Sequence, residues 1–232
     1  MHNCTDQIEH ICASIVPIFK MLHNDEFQKI NMLIKKKNYH KGTILFKKGD
    51  IDKHLYIVRS GRVKVYEMSE DGRQQIVRLL EPGDFFGELA LLMDEQHYLL
   101  NAETLEDTGI CLLSRADLKN IMRENAEISA GVMHALTERL AYAEKFISNL
   151  SLQTIEQRLI TWLHIMGEKE GVITPQGTRL TINLPRHELA NLFGTTRETL
   201  SRKISKLQAE GFIKISSPKQ ILLLDKLKHH SL

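Results

Sequence analysis

Four polar side chains, Arg197, Glu198, Ser201 and Arg202, gather on one side of the segment RETLSRKISKLQAEG, and they are suited to bonding the edges of paired bases. An arginine donates in bidentate fashion to guanine, and a glutamate accepts from cytosine N4. On the other side Leu200, Ile204 and Leu207 recur at i, i+4 and i+7, which commits that face of a helix to a core. The polar four lie toward the N-terminal end, where a helix docked in a major groove meets base edges. Thr195 or Thr196 caps this helix, and both count among the candidate DNA-binding residues. A plainer reading also stands: Glu198, three residues after Thr195, completes a capping box, and Arg197 and Arg202 are solvated surface charges.

The neighbouring segments supply what would hold such a helix. Ile155 to Glu168 places Ile155, Leu159, Trp162, Leu163 and Met166 on one helical face, and Thr178 to Leu184 alternates as a strand. Pro185 to Leu192 forms a short helix that Gly194 breaks, and the helix from Thr195 or Thr196 ends at Gly211. Phe212 to Leu224 is a hairpin turning near Ser217-Pro218-Lys219. Helix, tight turn, helix and hairpin is the order of a winged helix-turn-helix, here over residues 151–232.

Upstream the pattern differs. From Lys41 to Leu113 short alternating strands follow one another, with Gly61, Gly72 and Gly83 at 11-residue spacing and Asp71-Gly72 as a hairpin turn. A compact antiparallel β domain over 20–114 is expected. A helical stretch starts at Ser114-Arg115-Ala116-Asp117 and runs to about Leu150. Within it Met133, Leu136, Leu140, Ala143, Ile147 and Leu150 follow the 3,4 spacing of a coiled-coil seam. Residues 115–150 are therefore expected to form a homodimer helix, with packing on its own domain as the alternative.

Composition sets limits on function. Of 232 residues 42% are hydrophobic and 26% charged, as in a globular chain that buries a core. No run reaches the roughly 20 apolar residues of a membrane helix, and the first residues lack the order of a signal peptide, so a cytoplasmic protein with no membrane partner is expected. The net charge of +2 divides unevenly: residues 1–150 carry 19 basic and 22 acidic side chains, residues 151–232 carry 12 and 7, giving −3 and +5. A small basic domain beside a mildly acidic one suits binding to a phosphate backbone. Nucleotide-binding glycine loops, HExxH and GxSxG are absent from the sequence, and His97, His164 and His187 have no partner spacing, which argues against an enzyme.

The block LPRHELANLFGTTRETLSRKISKLQAEGFI resembles the helix-turn-helix of the Crp/Fnr transcriptional regulators, and residues 20–225 follow that family's order of parts. The resemblance implies an α+β chain: an N-terminal antiparallel β-roll of the cyclic-nucleotide-binding jelly-roll kind, a long dimerisation helix and a C-terminal winged helix-turn-helix. It also implies a homodimer on an inverted-repeat operator in double-stranded DNA, with RNA polymerase as a further partner. Glu198 and Arg202 would read a GA step. Ser201 is similar to the Fnr-like, Flp-type branch with TTGA half-sites, whereas Arg197 matches the Crp branch, so a TTGA or TGA half-site is expected.

The same resemblance bears on the signal. GDFFGELALLMDEQHYLLNAET resembles the phosphate-binding cassette of cyclic-nucleotide sensors, but Tyr98-Leu99 stands where the arginine and its hydroxyl neighbour hold the cyclic phosphate. Cyclic AMP is therefore not expected as the ligand, and Gly87-Glu88-Leu89 reads as turn structure. Cys111 is similar in position to the β-roll cluster ligand of Fnr proteins, and Cys4 and Cys12 lie in an N-terminal arm, residues 1–19, that holds fewer cysteines than the usual Fnr arm. Three thiolates with His2, Asp6 or His10 as fourth ligand suit an iron-sulfur cluster or zinc. A reversible disulfide between Cys111 and an arm cysteine, and a purely structural Cys111, are the alternatives. So is a non-nucleotide small molecule inside the roll.

Overall fold

The computed structural model describes Val16 and residues 24–51, 54–89 and 97–228, except the side chains of 24–27, 149, 150 and 228. Two compact units result, one from residues up to Glu70 with Val77–Tyr142, the other from Asp71–Ile76 with Ala143–Leu232.

The first unit runs α1 (Asn24–Leu33), β1 (Lys35–Tyr39), β2 (Ile44–Phe46), β3 (His54–Ser60), β4 (Val63–Met68), β5 (Gln74–Leu80), β6 (Phe85–Phe86), β7 (Asn101–Thr104) and β8 (Thr108–Ser114). They form two four-stranded sheets in the orders β1-β8-β3-β6 and β2-β7-β4-β5. Because side chains alternate along a strand, β8 serves two layers. Ile110 and Leu112 enter the space between the sheets with Phe46, Tyr56, Val65, Phe86 and Tyr98. Cys111 and Leu113 face outward onto a helical layer with Ile30, Ile34, Leu118, Ile128 and Val132. This is the expected β-roll. Its three evenly spaced glycines all adopt positive φ, at 79°, 80° and 98° for Gly61, Gly72 and Gly83. Gly61 is also tightly packed, since a Cβ there would stand 2.6 Å from the Asp107 carbonyl oxygen.

Two helices follow, α2 (Arg115–Glu124) and α3 (Ala126–Leu152). Ser114 caps the first, as its position suggested, accepting from Asp117 N–H. The single expected helix is interrupted at Asn125, whose backbone is extended at φ −133°, ψ 106°. Its Oδ1 accepts from Glu127 N–H at 3.0 Å and Ile128 N–H at 3.1 Å, so an asparagine offering an acceptor to orphan amides starts a new helix.

The second unit contains α4 (Ile155–Glu170), β9 (Val172–Thr174), β10 (Gly177–Thr181), α5 (Arg186–Phe193), α6 (Arg197–Ala209), β11 (Ile213–Ser217), β12 (Gln220–Leu223) and α7 (Asp225–Lys228). Its antiparallel sheet has the order β11-β12-β10-β9. Thr154 and Gln157 form a reciprocal capping box at the start of α4. The core joins Leu159 and Leu163 of α4, Leu189 and Phe193 of α5, Leu200 and Leu207 of α6, and Ile221 and Leu223 of β12. Trp162 meets Phe193 edge to face, with ring centroids 5.8 Å apart. The expected strand from Thr178 to Leu184 stops at Thr181, after which Ile182 N–H turns to the Lys219 carbonyl at 2.7 Å.

Candidate nucleic-acid interface

The turn between α5 and α6 is built by backbone chemistry. Gly194 closes α5 in the left-handed region at φ 62°, ψ 42°, and Thr195 N–H reaches back to the Ala190 carbonyl at 3.0 Å. Thr196 is then the cap of α6, its hydroxyl accepting from Thr199 N–H at 3.2 Å. Thr199 thus takes the place that a capping box would give to Glu198, and the plainer reading of Glu198 fails on that geometry.

With the cap supplied by Thr196, the sides of α6 separate cleanly. Leu200, Ile204 and Leu207 are buried, while Arg197, Glu198, Ser201 and Arg202 are exposed over the first turn and a half. Among the described residues none of these four side chains is held in an ion pair. A helix end bearing two guanidiniums, one carboxylate and a hydroxyl on a rigid base presents the donors and acceptors that base edges require. Lys214 of β11 and Lys219 of the following turn are exposed on the adjoining hairpin.

One charged contact on α6 was not visible in the sequence. Lys203 Nζ donates to Glu156 Oε2 at 2.9 Å, and Lys206 Nζ donates to Glu156 Oε1 at 2.8 Å and Oε2 at 3.0 Å. Hydrogen bonds from Lys206 and then Lys203 hold the Glu156 carboxyl below the usual carboxylate range, and the same bond raises Lys206. An acid in the first turn of a helix is legible from sequence; a partner 47 residues away is not.

The β-roll holds a second charged group. Gly87 does make the expected turn at φ 86°, but Glu88 is buried and does more than shape it. Its Oε1 lies 3.5 Å from Arg78 Nη1 and also pairs with Arg139 of α3. Arg78 and Arg139 both donate to the Phe85 carbonyl, and the Arg139 guanidinium lies 3.9 Å from the Phe85 ring centre. Burial first, and the nearby Arg139 charge second, lower the Arg78 pKa. Tyr98 is buried, stacked on Phe46, and donates its hydroxyl to the His54 carbonyl at 3.3 Å. Where the cassette resemblance calls for a cation there is a packed aromatic ring.

Cys111 has no exposed surface and is disulfide-bonded. It shares its layer with Val16, itself fully buried. Cys4, Cys12, His2, Asp6 and His10 lie outside the described residues. The candidate seam of α3 divides: Leu136 packs partly into the helical layer, whereas Met133, Leu140 and Ile147 are 62%, 61% and 63% exposed. Ala143 is exposed as well, and the Leu150 side chain lies outside the described residues.

Residues 36–125 match the model of the cyclic nucleotide-binding domain, and residues 157–229 match the Crp-like helix-turn-helix domain. Fold and site together define a DNA-binding transcription regulator in which a β-roll precedes a winged helix-turn-helix. The chain belongs to the Crp/Fnr family. It is similar to the cyclic AMP receptor protein of Thermus thermophilus, 30% identical over 199 residues that cover 86% of this chain and 88% of that protein. It is similar also to the probable transcriptional regulator flp of Lacticaseibacillus casei, 29% identical over 216 residues, covering 93% and 95%. Among solved structures, that of a CooA mutant from Carboxydothermus hydrogenoformans aligns with a TM-score of 0.74 at 26% identity, covering 85% of this chain and 87% of that one. These relatives are regulators, not enzymes. Among the described residues no helix is long and apolar enough to cross a membrane.

Proposed function

We propose that this chain acts in the cytoplasm as a homodimer on an inverted-repeat operator with half-sites of TTGA or TGA type, and that cysteine oxidation sets its activity. The carrying observation is the exposed Arg197, Glu198, Ser201 and Arg202 at the start of α6, opposite a fully committed core face. Arg202 and Glu198 read the GA step, Arg197 and Ser201 adjust the neighbouring preference, and Thr195 and Thr196 offer their side-chain hydroxyls to the DNA backbone. Two such helices a turn of DNA apart, about 34 Å, address the two half-sites. Bound there, the dimer contacts RNA polymerase or blocks it.

For the signal, a buried Cys111 already in a disulfide supports a thiol couple with Cys4 or Cys12. Two thiols lose two protons and two electrons to a peroxide or an external disulfide, and one S–S bond forms. A zinc ion or an iron-sulfur cluster would require Cys111 as a thiolate, which its disulfide form does not offer. The donor set therefore fits redox switching better than metal binding. A second reading rests on Arg78 and Arg139: two guanidiniums against the single buried Glu88 suit a small anionic effector inside the roll.

Binding measured for wild type and Arg202→Ala on operator and on random DNA tests the readout. Loss of about 1–3 kcal/mol confined to the operator is expected, and equal loss on both sinks the assignment. Replacement of all three cysteines by serine is expected to remove any response to oxidant. Retained oxidant response would end the thiol reading, and an unaltered, effector-dependent binding would favour the second one.

A further inference from the structure

Glu156 lies outside the reading face, yet it controls two of the positive charges on the reading helix. Its two carboxylate oxygens take three hydrogen bonds from Lys203 and Lys206, at 2.8 to 3.0 Å. Lys203 follows Arg202 directly, and Lys206 stands one turn beyond it, so both ammonium groups neighbour the part of α6 that meets DNA. Glu210 adds a weaker restraint on Lys206, at 3.6 Å. Glu156 itself is largely covered, with 19% of its side chain exposed. It sits in the first turn of α4, where the helix dipole favours an anion. One carboxylate thus occupies two ammonium groups and offsets half of their charge.

Such a clamp affects two kinds of binding differently. Attraction to random DNA is almost wholly the pairing of cations with phosphates, whereas an operator also gains from base contacts. A carboxylate that occupies two lysines of the reading helix lowers the first term and leaves base contacts by Glu198 and Arg202 untouched. We propose that Glu156 is a specificity-determining residue, an internal substitute for DNA phosphate that withholds Lys203 and Lys206 and thereby suppresses non-operator binding. The role rests on α6 being the DNA-contacting helix.

The test uses the full chain carrying Glu156→Gln, a variant of equal size that leaves the Thr154–Gln157 capping box in place. Affinity for operator and random duplexes is measured across a salt series. Random DNA is expected to bind roughly 3- to 10-fold tighter at low salt, with the slope of log K against log salt steeper by about one to two, about 0.9 for each of the phosphate contacts that the two released lysines can make. Operator affinity should rise less, so the specificity ratio falls. Adding Lys203→Gln and Lys206→Gln should cancel the rise, whereas the same two changes beside wild-type Glu156 should alter the slope little. An unchanged slope and ratio, or an equal loss on both duplexes with a lowered melting temperature, overturns the proposal and leaves Glu156 a helix tie. Arg202→Ala measured in parallel tells the two failures apart: if it does not discriminate operator from random DNA, the reading of α6 itself has failed.

Discussion

Tyr98 lies face to face with Phe46 inside the β-roll, their ring centroids 3.6 Å apart and their planes 12° from parallel. Phe86 stacks on Tyr56 beside them at 5.1 Å, so four aromatic rings pack together in the core between the sheets, with Val65, Ile110 and Leu112. Stability and ligand response should both report this. Tyr98→Ala is expected to cost about 3 kcal/mol, from lost burial and the cavity left behind, in urea melts of the isolated protein. Tyr98→Phe should cost about 1 kcal/mol, the hydrogen bond to His54 alone. Wild-type melting temperature should not move on titration with cyclic AMP, since the phosphate has no cation at position 98; a saturable upward shift would refute this.

The sequence offers Thr195 and Thr196 equally as the cap of α6, and the backbone places the cap at Thr196. Thr196→Ala removes the acceptor for Thr199 N–H and should destabilise the second unit by about 1 kcal/mol. Thr195→Ala, whose structural contact is through its main chain, should leave stability within about 0.5 kcal/mol. Reversal of that order in thermal melts would put the start of α6 one residue earlier and restore Glu198 to a capping role.

That pair shows where sequence is informative. The leucine periodicity of α6, the glycine that ends α5 and the evenly spaced glycines of the roll are local patterns, and each appears in the structure as expected. The break at Asn125 was missed because flanking residues continue a helical pattern and only the side chain's capture of two amides ends it. Charged contacts across the fold were harder still. Nothing near Gly87-Glu88-Leu89 announces that Arg78 and Arg139 converge on it, since that meeting depends on how α3 crosses the roll. Long-range ion pairs carry no periodicity, and the Glu156 clamp was invisible for the same reason.

The Glu156 contact also predicts a pH window. Its carboxyl pKa is depressed in the folded chain by Lys206 and Lys203, so its contribution is complete above the unfolded value of about 4.3 and fades as pH falls through the folded one. Lys206 is raised, so its contribution is complete below the unfolded value of about 10.4 and is lost as pH rises through the folded one. The difference in melting temperature between wild type and Glu156→Gln should therefore be flat from about pH 5 to 10 and shrink on either side. A difference that grows in acid would mean that the bond to the lysines is not its source.

The two faces of α3 should respond in opposite ways. Leu136 packs beside Ile128 and Val132 in the helical layer, so Leu136→Ala is expected to lower stability by about 2 kcal/mol without altering assembly. Leu140 and Ile147 expose more than half of their surface on a helix of 27 residues, an apolar strip that a second copy of the chain would cover. Leu140→Glu places a charge in the middle of that strip. In the free chain it costs nothing in burial, but in a dimer seam two such charges face each other without a partner. Sedimentation should show wild type as a dimer and Leu140→Glu as a monomer with an unchanged melting curve at low concentration. Operator affinity should fall steeply with it if the proposed inverted repeat takes one winged domain per half-site. A Leu140→Glu protein that still sediments as a dimer would place the contact elsewhere than on Met133, Leu140 and Ile147.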